Sequence, residues 1–258
     1  MTKSTRTAIL FWIPILRKHG KMGSLSTLFL LVFLPCTANA YTVDSVEVVS
    51  TGLGANELIS VWGGGVDGSV ESVYAGAYNL EKTSGTGEGK LWNDGQIGAF
   101  CAELSEAAPE ITTKYSVTSL DDAFGAEKAG YIGELWGRYY DPGWTGDGQF
   151  TWLQDSKAAA FATALWEIIY EDLPGSTLKW DVKTDGTWGE GGFYTDFGGA
   201  NLANNFLHSL DGTGPVADLR VFSYSGSQDY IAQVPEPTTI VLLGLGSLGL
   251  LRRKRKLS

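Results

Sequence analysis

An apolar segment lies near each end of this chain, each accompanied by a basic cluster, so that only the middle is left to fold as a domain. Near the N-terminus, a basic cluster precedes an apolar run over 25–35, which ends in Ala38-Asn39-Ala40. This order is the layout of a secretory signal peptide with small residues at its cleavage site. We therefore predict that residues 1–40 form a signal helix, removed between Ala40 and Tyr41, with Met22 as an alternative start.

The C-terminal end combines three elements in a fixed order. Val234-Pro235-Glu236-Pro237 precedes an apolar stretch that ends at Leu251, and five basic residues follow: Arg252, Arg253, Lys254, Arg255 and Lys256. As a helix, residues 238–251 rise about 21 Å, which is less than the roughly 30 Å of a hydrocarbon core. We predict a short transmembrane helix whose basic tail stays in the cytoplasm, so that the acidic domain lies outside.

This order, which covers residues 234–258, resembles the PEP-CTERM sorting signal of exported proteins from Gram-negative bacteria. The resemblance implies that the tail holds the protein transiently in the inner membrane. It also implies that an exosortase cuts near Pro235-Glu236-Pro237 and releases the domain to the cell surface or the exopolysaccharide matrix. An ordinary tail anchor is the alternative, but the short span disfavours permanent residence in a membrane.

The charge of the middle of the chain limits its partners. The chain has 19 basic and 29 acidic residues, and all of the acidic ones lie between Tyr41 and Pro237. Because the two ends take ten of the basic residues, this middle part has a net charge of −20. Such a surface repels phosphate backbones, so that we expect no nucleic-acid partner.

The patterns between the two ends predict a single α+β domain over residues 41–233. Six runs have the alternation and the aromatic or β-branched content of strands. They are 43–48, 58–62, 70–80, 178–182, 219–224 and 230–234. Three segments, 126–140, 155–170 and 201–210, have helical spacing. We expect β-strands around two or three helices in one domain.

Two segments of this domain resemble the signature regions of thioester-domain surface proteins, with a similarity that spans about residues 73–170. One is Gly98-Ala99-Phe100-Cys101-Ala102-Glu103-Leu104, and the other, over 159–170, contains Trp166. The resemblance implies a scaffold in which the Cys101 strand lies beside the Trp166 helix. In that family the cysteine condenses with a glutamine four residues before the tryptophan, where this chain has Ala162. A methyl group has no carboxamide carbon, so that we expect no thioester of the family's kind.

Cys101 and His208 are the residues that a covalent or hydrolytic activity would use. Each is the sole residue of its type after signal removal, which excludes an internal disulfide and any site with two His ligands. Cys101 has three interpretations, a thioester relic, an intermolecular disulfide and a small buried hydrophobe, of which we favour the last. A Ser-His-Asp triad is possible only if His208 is its histidine. A covalent adhesin-type protein or a hydrolase is therefore the alternative function.

Acidic residues also cluster in two glycine-rich loops, at 141–148 and 181–186. Neither loop has the ligand spacing of an EF-hand, and solvated loop acids are the favoured interpretation. We accordingly assign no metal site and no cofactor.

Tryptophans offer the remaining candidate site. Trp136 and Trp166 lie on helical stripes and are predicted to be core, whereas four others lie among Gly, Asp and Thr in loops: Trp144, Trp152, Trp180 and Trp188. Exposed aromatic rings stack on sugars, so that Trp144 and Trp188 are candidate glycan-stacking residues. The alternative is that these rings pack the edges of the domain.

Together these patterns predict a non-enzymatic surface or extracellular-matrix protein. We expect it to be a substrate of an exosortase, to be held transiently in the inner membrane and to associate with exopolysaccharide.

Overall fold

The computed structural model describes residues 43–63, 70–183 and 192–236. The predicted signal helix with its cleavage site at Ala40 and Tyr41, the apolar C-terminal stretch and the basic tail from Arg252 to Lys256 lie outside these residues. The described part mixes helices with a large sheet, as predicted, and has four α-helices where two or three were expected. None of the described helices is long and apolar enough to cross a membrane.

In the described residues, seven antiparallel strands form one sheet. They are β1 Ser45–Gly63, β2 Glu71–Thr86, β3 Gly95–Cys101, β4 Thr113–Ser119, β5 Phe193–Thr195, β6 Leu219–Tyr224 and β7 Ser227–Gln233. Their order is β2-β3-β7-β6-β4-β1-β5, and β1 also pairs with β2. This additional pairing closes six of the strands into a barrel and removes their free edges.

Aromatic side chains fill the inside of this barrel. The ring of Tyr230 on β7 lies 5.5 Å from that of Tyr78 on β2 and 6.1 Å from that of Tyr115 on β4, measured between centroids. Neither β2 nor β4 is a neighbour of β7 in the sheet. Rings from non-adjacent strands meet in this way only across the interior of a closed sheet, so that this face is the barrel interior.

β1 extends beyond the barrel and carries β5. Two separate strands were predicted within its length, but a single strand of 19 residues runs through both. Gly54 lies in the middle of it, where a Cβ would stand 2.1 Å from the backbone oxygen of Trp144. Only glycine allows this approach. Beyond Gly54, the strand pairs with β2 on one side and, at Val61–Gly63, with β5 on the other.

The helices are α1 Leu120–Phe124, α2 Ala126–Tyr139, α3 Trp152–Tyr170 and α4 Ala200–His208. The three predicted helices are confirmed as α2, α3 and α4. α3 begins earlier than predicted because Thr151 and Gln154 form a capping box, in which each side chain bonds to the backbone N–H of the other. α1 is separated from α2 by Gly125, whose φ of +82° interrupts helical geometry.

α2 and α3 pack against the outer face of the barrel. Phe100 on β3 points to this face, and its ring contacts those of Phe161 on α3 and Trp136 on α2, at centroid distances of 4.7 and 5.5 Å. α3 also covers one face of the extension of β1, β2 and β5, where Trp166 contacts Phe193. The main core therefore lies between the sheet and these two helices, with a second apolar interior inside the barrel.

One predicted strand, at 178–182, is wrong. Its first part belongs to a 3-10 turn over Thr177–Lys179, which begins where the Ser176 hydroxyl accepts a hydrogen bond from the Leu178 N–H. Leu178 is largely exposed, whereas Trp180 and Val182 are buried. The apolar residues of this segment alternate because a turn runs over the surface of the domain, and not because the segment is a strand of the sheet. Conversely, β4, with the polar sequence TKYSVTS, was not predicted.

Candidate functional site

Cys101 ends β3, on the face of the strand that points into the barrel. It pairs with Tyr230 across the β3–β7 ladder, and opposite residues in such a pair share one face. The side chain is only 2% exposed, and its thiol donates a hydrogen bond to the backbone oxygen of Glu103 over 2.6 Å. Burial raises the pKa of the thiol well above its ordinary value. Cys101 is therefore a protonated, buried thiol, as the favoured interpretation predicts.

The tyrosine hydroxyl groups around this thiol do not act as bases. Tyr78 and Tyr230 are its neighbours in the barrel interior, and burial raises the pKa of each hydroxyl far above the ordinary value for tyrosine. Burial likewise raises the pKa of Tyr170, whose hydroxyl donates to the backbone oxygen of Ala102. These hydroxyls all remain protonated at neutral pH, and none of them activates the thiol.

Gln228 is a residue of this site that the sequence reasoning missed. It is 7% exposed, and its Nε2 donates to the same Glu103 oxygen that accepts from the Cys101 thiol, over 3.4 Å. The carboxamide and the thiol thus share one acceptor. The signal was present in the spacing of β7, because Gln228 and Tyr230 are two residues apart and lie on one face of the strand.

The helix that carries Trp166 lies directly beside the Cys101 strand. The indole N–H of Trp166 donates to the backbone oxygen of Cys101 over 2.9 Å, and the Tyr170 hydroxyl accepts from the Leu104 N–H over 3.0 Å. The predicted adjacency of strand and helix is therefore confirmed. Ala162 is fully buried one turn before Trp166, and it offers only a methyl group to its surroundings.

The two other glutamines near these elements have separate roles. Gln154 is engaged in the capping box of α3, and its Nε2 donates to the backbone oxygen of Gly143. Gln96 is exposed at the start of β3, five residues before Cys101. Neither carboxamide makes a hydrogen bond to the thiol, which donates to Glu103.

His208 is the last residue of α4, and its side chain bonds to the segment that follows α3. Its Nε2 lies 2.8 Å from the backbone oxygen of Trp180. Because a carbonyl oxygen only accepts, Nε2 carries the proton and donates it. The side chain thus connects the end of α4 to the segment that follows α3, which is a structural role.

Trp144 does not stand exposed in its loop, and the prediction that it stacks on glycans is wrong. Its ring is 2% exposed and contacts Phe100, Phe161 and Tyr140 at centroid distances of 5.6–6.1 Å. Trp180, another loop tryptophan, is also buried, against Tyr131. The second stacking candidate, Trp188, lies outside the described residues. Loop composition failed here because distant parts of the chain cover these rings.

Accessible aromatic side chains lie instead on the extension of β1, β2 and β5. Leu58 pairs with Tyr74, and Trp62 pairs with Tyr194. Leu58 and Trp62 are four residues apart on one strand, so that all four side chains share one face, which we call the outer aromatic face. Leu58 is 60% and Tyr74 50% exposed, and the rings of Trp62 and Tyr194 meet edge to face at 4.8 Å. α3 covers the opposite face of these strands.

The acidic loops serve as local caps in the part that the structure describes. Asp141 accepts from the N–H of Gly143, and Asp181 accepts from the side-chain amide of Asn204, both over 2.8 Å. Within the described residues, no three His, Cys, Asp or Glu side chains come together in a way that would hold a metal ion. The end of the second loop, from residue 184, lies outside them.

Glu134 is a buried carboxylate beside a cleft of about 560 Å³, which Tyr131, Ser176 and Asp211 help to line. Arg138 bonds it at 2.7 Å, and the N–H groups of Gly212 and Gly214 donate to it over 2.8 and 2.9 Å. Burial opposes its ionisation, but these hydrogen bonds outweigh burial and lower the pKa of Glu134. The bonds from Gly212 and Gly214 hold the loop after α4 against α2, which is a structural role.

The last described residues leave the barrel from a fixed position. Gln233 ends β7, and the indole N–H of Trp92 donates to its backbone oxygen over 2.8 Å. The indole N–H of Trp136 donates to its side-chain oxygen over 3.1 Å. Pro235 and Glu236, which belong to the predicted sorting motif, are exposed just beyond this anchor, whereas Pro237 lies outside the described residues.

Residues 233–256 match the family model of the PEP-CTERM protein-sorting motif. The motif indicates a protein that an exosortase recognises, and that is exported and held transiently in a membrane before it reaches the surface or the extracellular space. The predicted sorting signal is thus confirmed. No curated protein and no solved structure matches the chain.

Proposed function

We propose that the mature domain is a non-enzymatic surface or matrix protein of a Gram-negative bacterium, and that it binds exopolysaccharide through the outer aromatic face. The observation that carries this proposal is the row of Leu58, Tyr74, Trp62 and Tyr194 on strands whose other face is covered by α3. Leu58 and Tyr74 are exposed, and Trp62 and Tyr194 are partly exposed. Partly exposed aromatic rings held on a sheet offer apolar surfaces on which sugar rings are able to stack.

The chemistry around this face suits a glycan. Ser60 and Ser72 form the pair between Leu58–Tyr74 and Trp62–Tyr194, and their hydroxyl groups are able to hydrogen-bond to sugar hydroxyls. The net charge of −20 repels anionic polymers, so that the favoured polysaccharide is neutral or carries amino groups. Apolar side chains grouped on one accessible face are a common feature of interaction sites.

The geometry of Cys101 and His208 supports a binding role over catalysis. The thiol is buried and protonated, and the protonated ring nitrogen of the histidine is committed to a backbone oxygen. Nucleophilic catalysis needs an accessible nucleophile with a base within hydrogen-bond reach. Under this proposal, the protein lacks the arrangement of residues that a covalent adhesin or a hydrolase needs.

The resemblance to thioester-domain proteins enters this proposal as a relation of scaffold alone. The hydrogen bond from Trp166 to the Cys101 oxygen supports it, because the two signature segments lie side by side. The alanine at position 162 supports the loss of the family's chemistry, since the acyl group is missing.

Retention on polysaccharide tests the proposal. The mature domain is passed over immobilised exopolysaccharide from the producing organism, beside a Trp62→Ala/Tyr194→Ala variant. We expect the wild type to be retained and the variant, which loses two stacking rings, to lose at least about tenfold in affinity, or about 1.4 kcal/mol.

A matched control is the Trp152→Ala/Tyr224→Ala variant, which likewise removes one tryptophan and one tyrosine, here exposed residues of α3 and of the end of β6. It should bind as the wild type does. Equal retention of both double variants would contradict the assignment of the face. Absence of retention in the wild type would contradict polysaccharide as the partner.

A further inference from the structure

The sorting motif begins on the folded domain itself. Gln233 is both the last residue of β7 and the first residue of the motif match. Its backbone and side-chain oxygens are held by Trp92 and Trp136, and the next residue, Val234, donates its N–H to the Asp218 oxygen over 2.9 Å. The chain is thus anchored up to Val234, and Pro235 is the first residue beyond the anchor.

The reach of the chain beyond this anchor is short. Three residues separate Val234 from Thr238, where the predicted membrane helix begins, and the four chain steps between them span only about 14 Å even when fully extended. A sorting enzyme that reads Pro235-Glu236-Pro237 therefore works within a few residues of the barrel. The rim of the barrel at this end lies within its reach.

A cleft of about 310 Å³ opens at this rim. It is lined by Trp92, Gln96, Tyr140 and Pro142, and also by Pro235 and Glu236 of the motif. Gln96 and Pro142 are exposed, Tyr140 is half-buried, and Trp92 forms the buried floor. The motif and the cleft are therefore one continuous surface, with apolar and amide groups but no basic side chain among the residues that line it.

We propose that this cleft is a contact surface for the sorting enzyme, so that the enzyme recognises the folded rim together with the Pro-Glu-Pro motif. This inference rests on sorting by an exosortase. The partner that binds in the cleft is the part of this membrane enzyme that lies on the exported side of the membrane, because the motif that the enzyme reads lies in the wall of the cleft. Recognition of the rim makes sorting specific for a folded domain.

The test measures the removal of the basic tail in producing cells, by mass spectrometry of the C-terminus over time. One variant has a ten-residue Gly-Ser insertion between Val234 and Pro235, which separates the motif from the cleft. A second, Gln96→Arg/Pro142→Arg, alters the rim and keeps the motif in place. We expect both to slow tail removal about fivefold, which corresponds to about 1 kcal/mol.

Two controls make the result decisive. The same insertion after Gly148, in an exposed loop, should leave the rate unchanged, as should Gln149→Arg. Tail removal at the natural rate in either the linker or the rim variant would overturn the proposal, and so would equal slowing by the control insertion. A Pro235→Ala/Glu236→Ala/Pro237→Ala variant tests sorting separately. Continued processing of that variant would contradict exosortase sorting itself.

Discussion

The barrel interior around Cys101 and the outer aromatic face differ in their functional groups and in their exposure to solvent. The interior holds a thiol, a carboxamide and several phenols, all of them buried and protonated or neutral. The outer face holds hydroxyl groups and aromatic rings, and Leu58 and Tyr74 on it are half exposed or more. The thiol is thus enclosed by the fold, whereas the aromatic side chains of the outer face are accessible.

This difference arises because one part of the sheet forms the wall of the barrel and another part extends beyond it. Where β1 and β2 belong to the barrel, one face of each strand points into the buried interior, while Glu81 and Thr83 on the other face of β2 are exposed. Where they extend beyond it with β5, α3 covers a single face. An antiparallel sheet tolerates this arrangement, since alternate residues point to opposite sides. The extension therefore offers a rigid surface without exposing the core.

The largest expected difference between the two regions is in thiol reactivity. We expect Cys101 to react with a maleimide at least about a thousandfold more slowly than a cysteine placed on the outer aromatic face, because its exposure requires substantial opening of the fold. The comparison uses wild type and the Cys101→Ala/Ser72→Cys variant at pH 8, followed by mass spectrometry. Similar rates would show that the barrel interior is open to reagents, and the contrast would fail.

The second largest difference is expected in stability, when a buried tryptophan and a tryptophan of the outer aromatic face are each replaced by alanine. Trp144→Ala removes a ring from the contact with Phe100 and Phe161, and should lower the free energy of unfolding by about 4 kcal/mol. Trp62→Ala removes a ring with a single described aromatic partner on the open face and should cost about 1 kcal/mol. Urea unfolding of both variants measures the difference. A larger loss at Trp62 would mean that the face is covered in the native protein.

The third prediction concerns Glu134, whose pKa is lower in the folded protein than the ordinary value of 4.5. Such a carboxylate stabilises the fold above its unfolded pKa, and this stabilisation is lost as the pH falls through the folded pKa. Glu134→Gln should therefore cost about 2 kcal/mol at pH 7, and less as the pH falls below 4.5. Unfolding in urea at several pH values measures this.

Glu127→Gln is the matched control for this change, because Glu127 is exposed in the first turn of the same helix. It should have little effect at any pH. A cost of Glu134→Gln that does not change with pH would show that the hydrogen bonds alone, and not the charge, hold the loop after α4.

The sequence predicted those features that depend on neighbouring residues. The stripe of α2 and the apolar run of α3 are local, and so are the signals of both ends, which need only order and composition. The adjacency of Cys101 and Trp166 was predicted from a resemblance and not from spacing. The hydrogen bond between them confirms it.

The failures lie where distant segments decide burial. Trp144 has Gly, Asp and Thr as neighbours in the chain, but Phe100 and Phe161 cover it in space. Closure of the barrel depends on the register of β1 against both β2 and β4, which no local pattern contains. The outer aromatic face was missed for the same reason, because Trp62 and Tyr194 meet only after β5 pairs with β1.

The central claim is that the protein acts by binding and that no covalent chemistry takes place at Cys101. Intact mass spectrometry of the natural mature protein, with and without methylamine, tests it most directly. The account predicts the mass of the unmodified chain in both samples, with a free thiol that appears on unfolding. A mass lower by one ammonia, converted by methylamine into the methylamide, would contradict it and would place a thioester in the barrel interior.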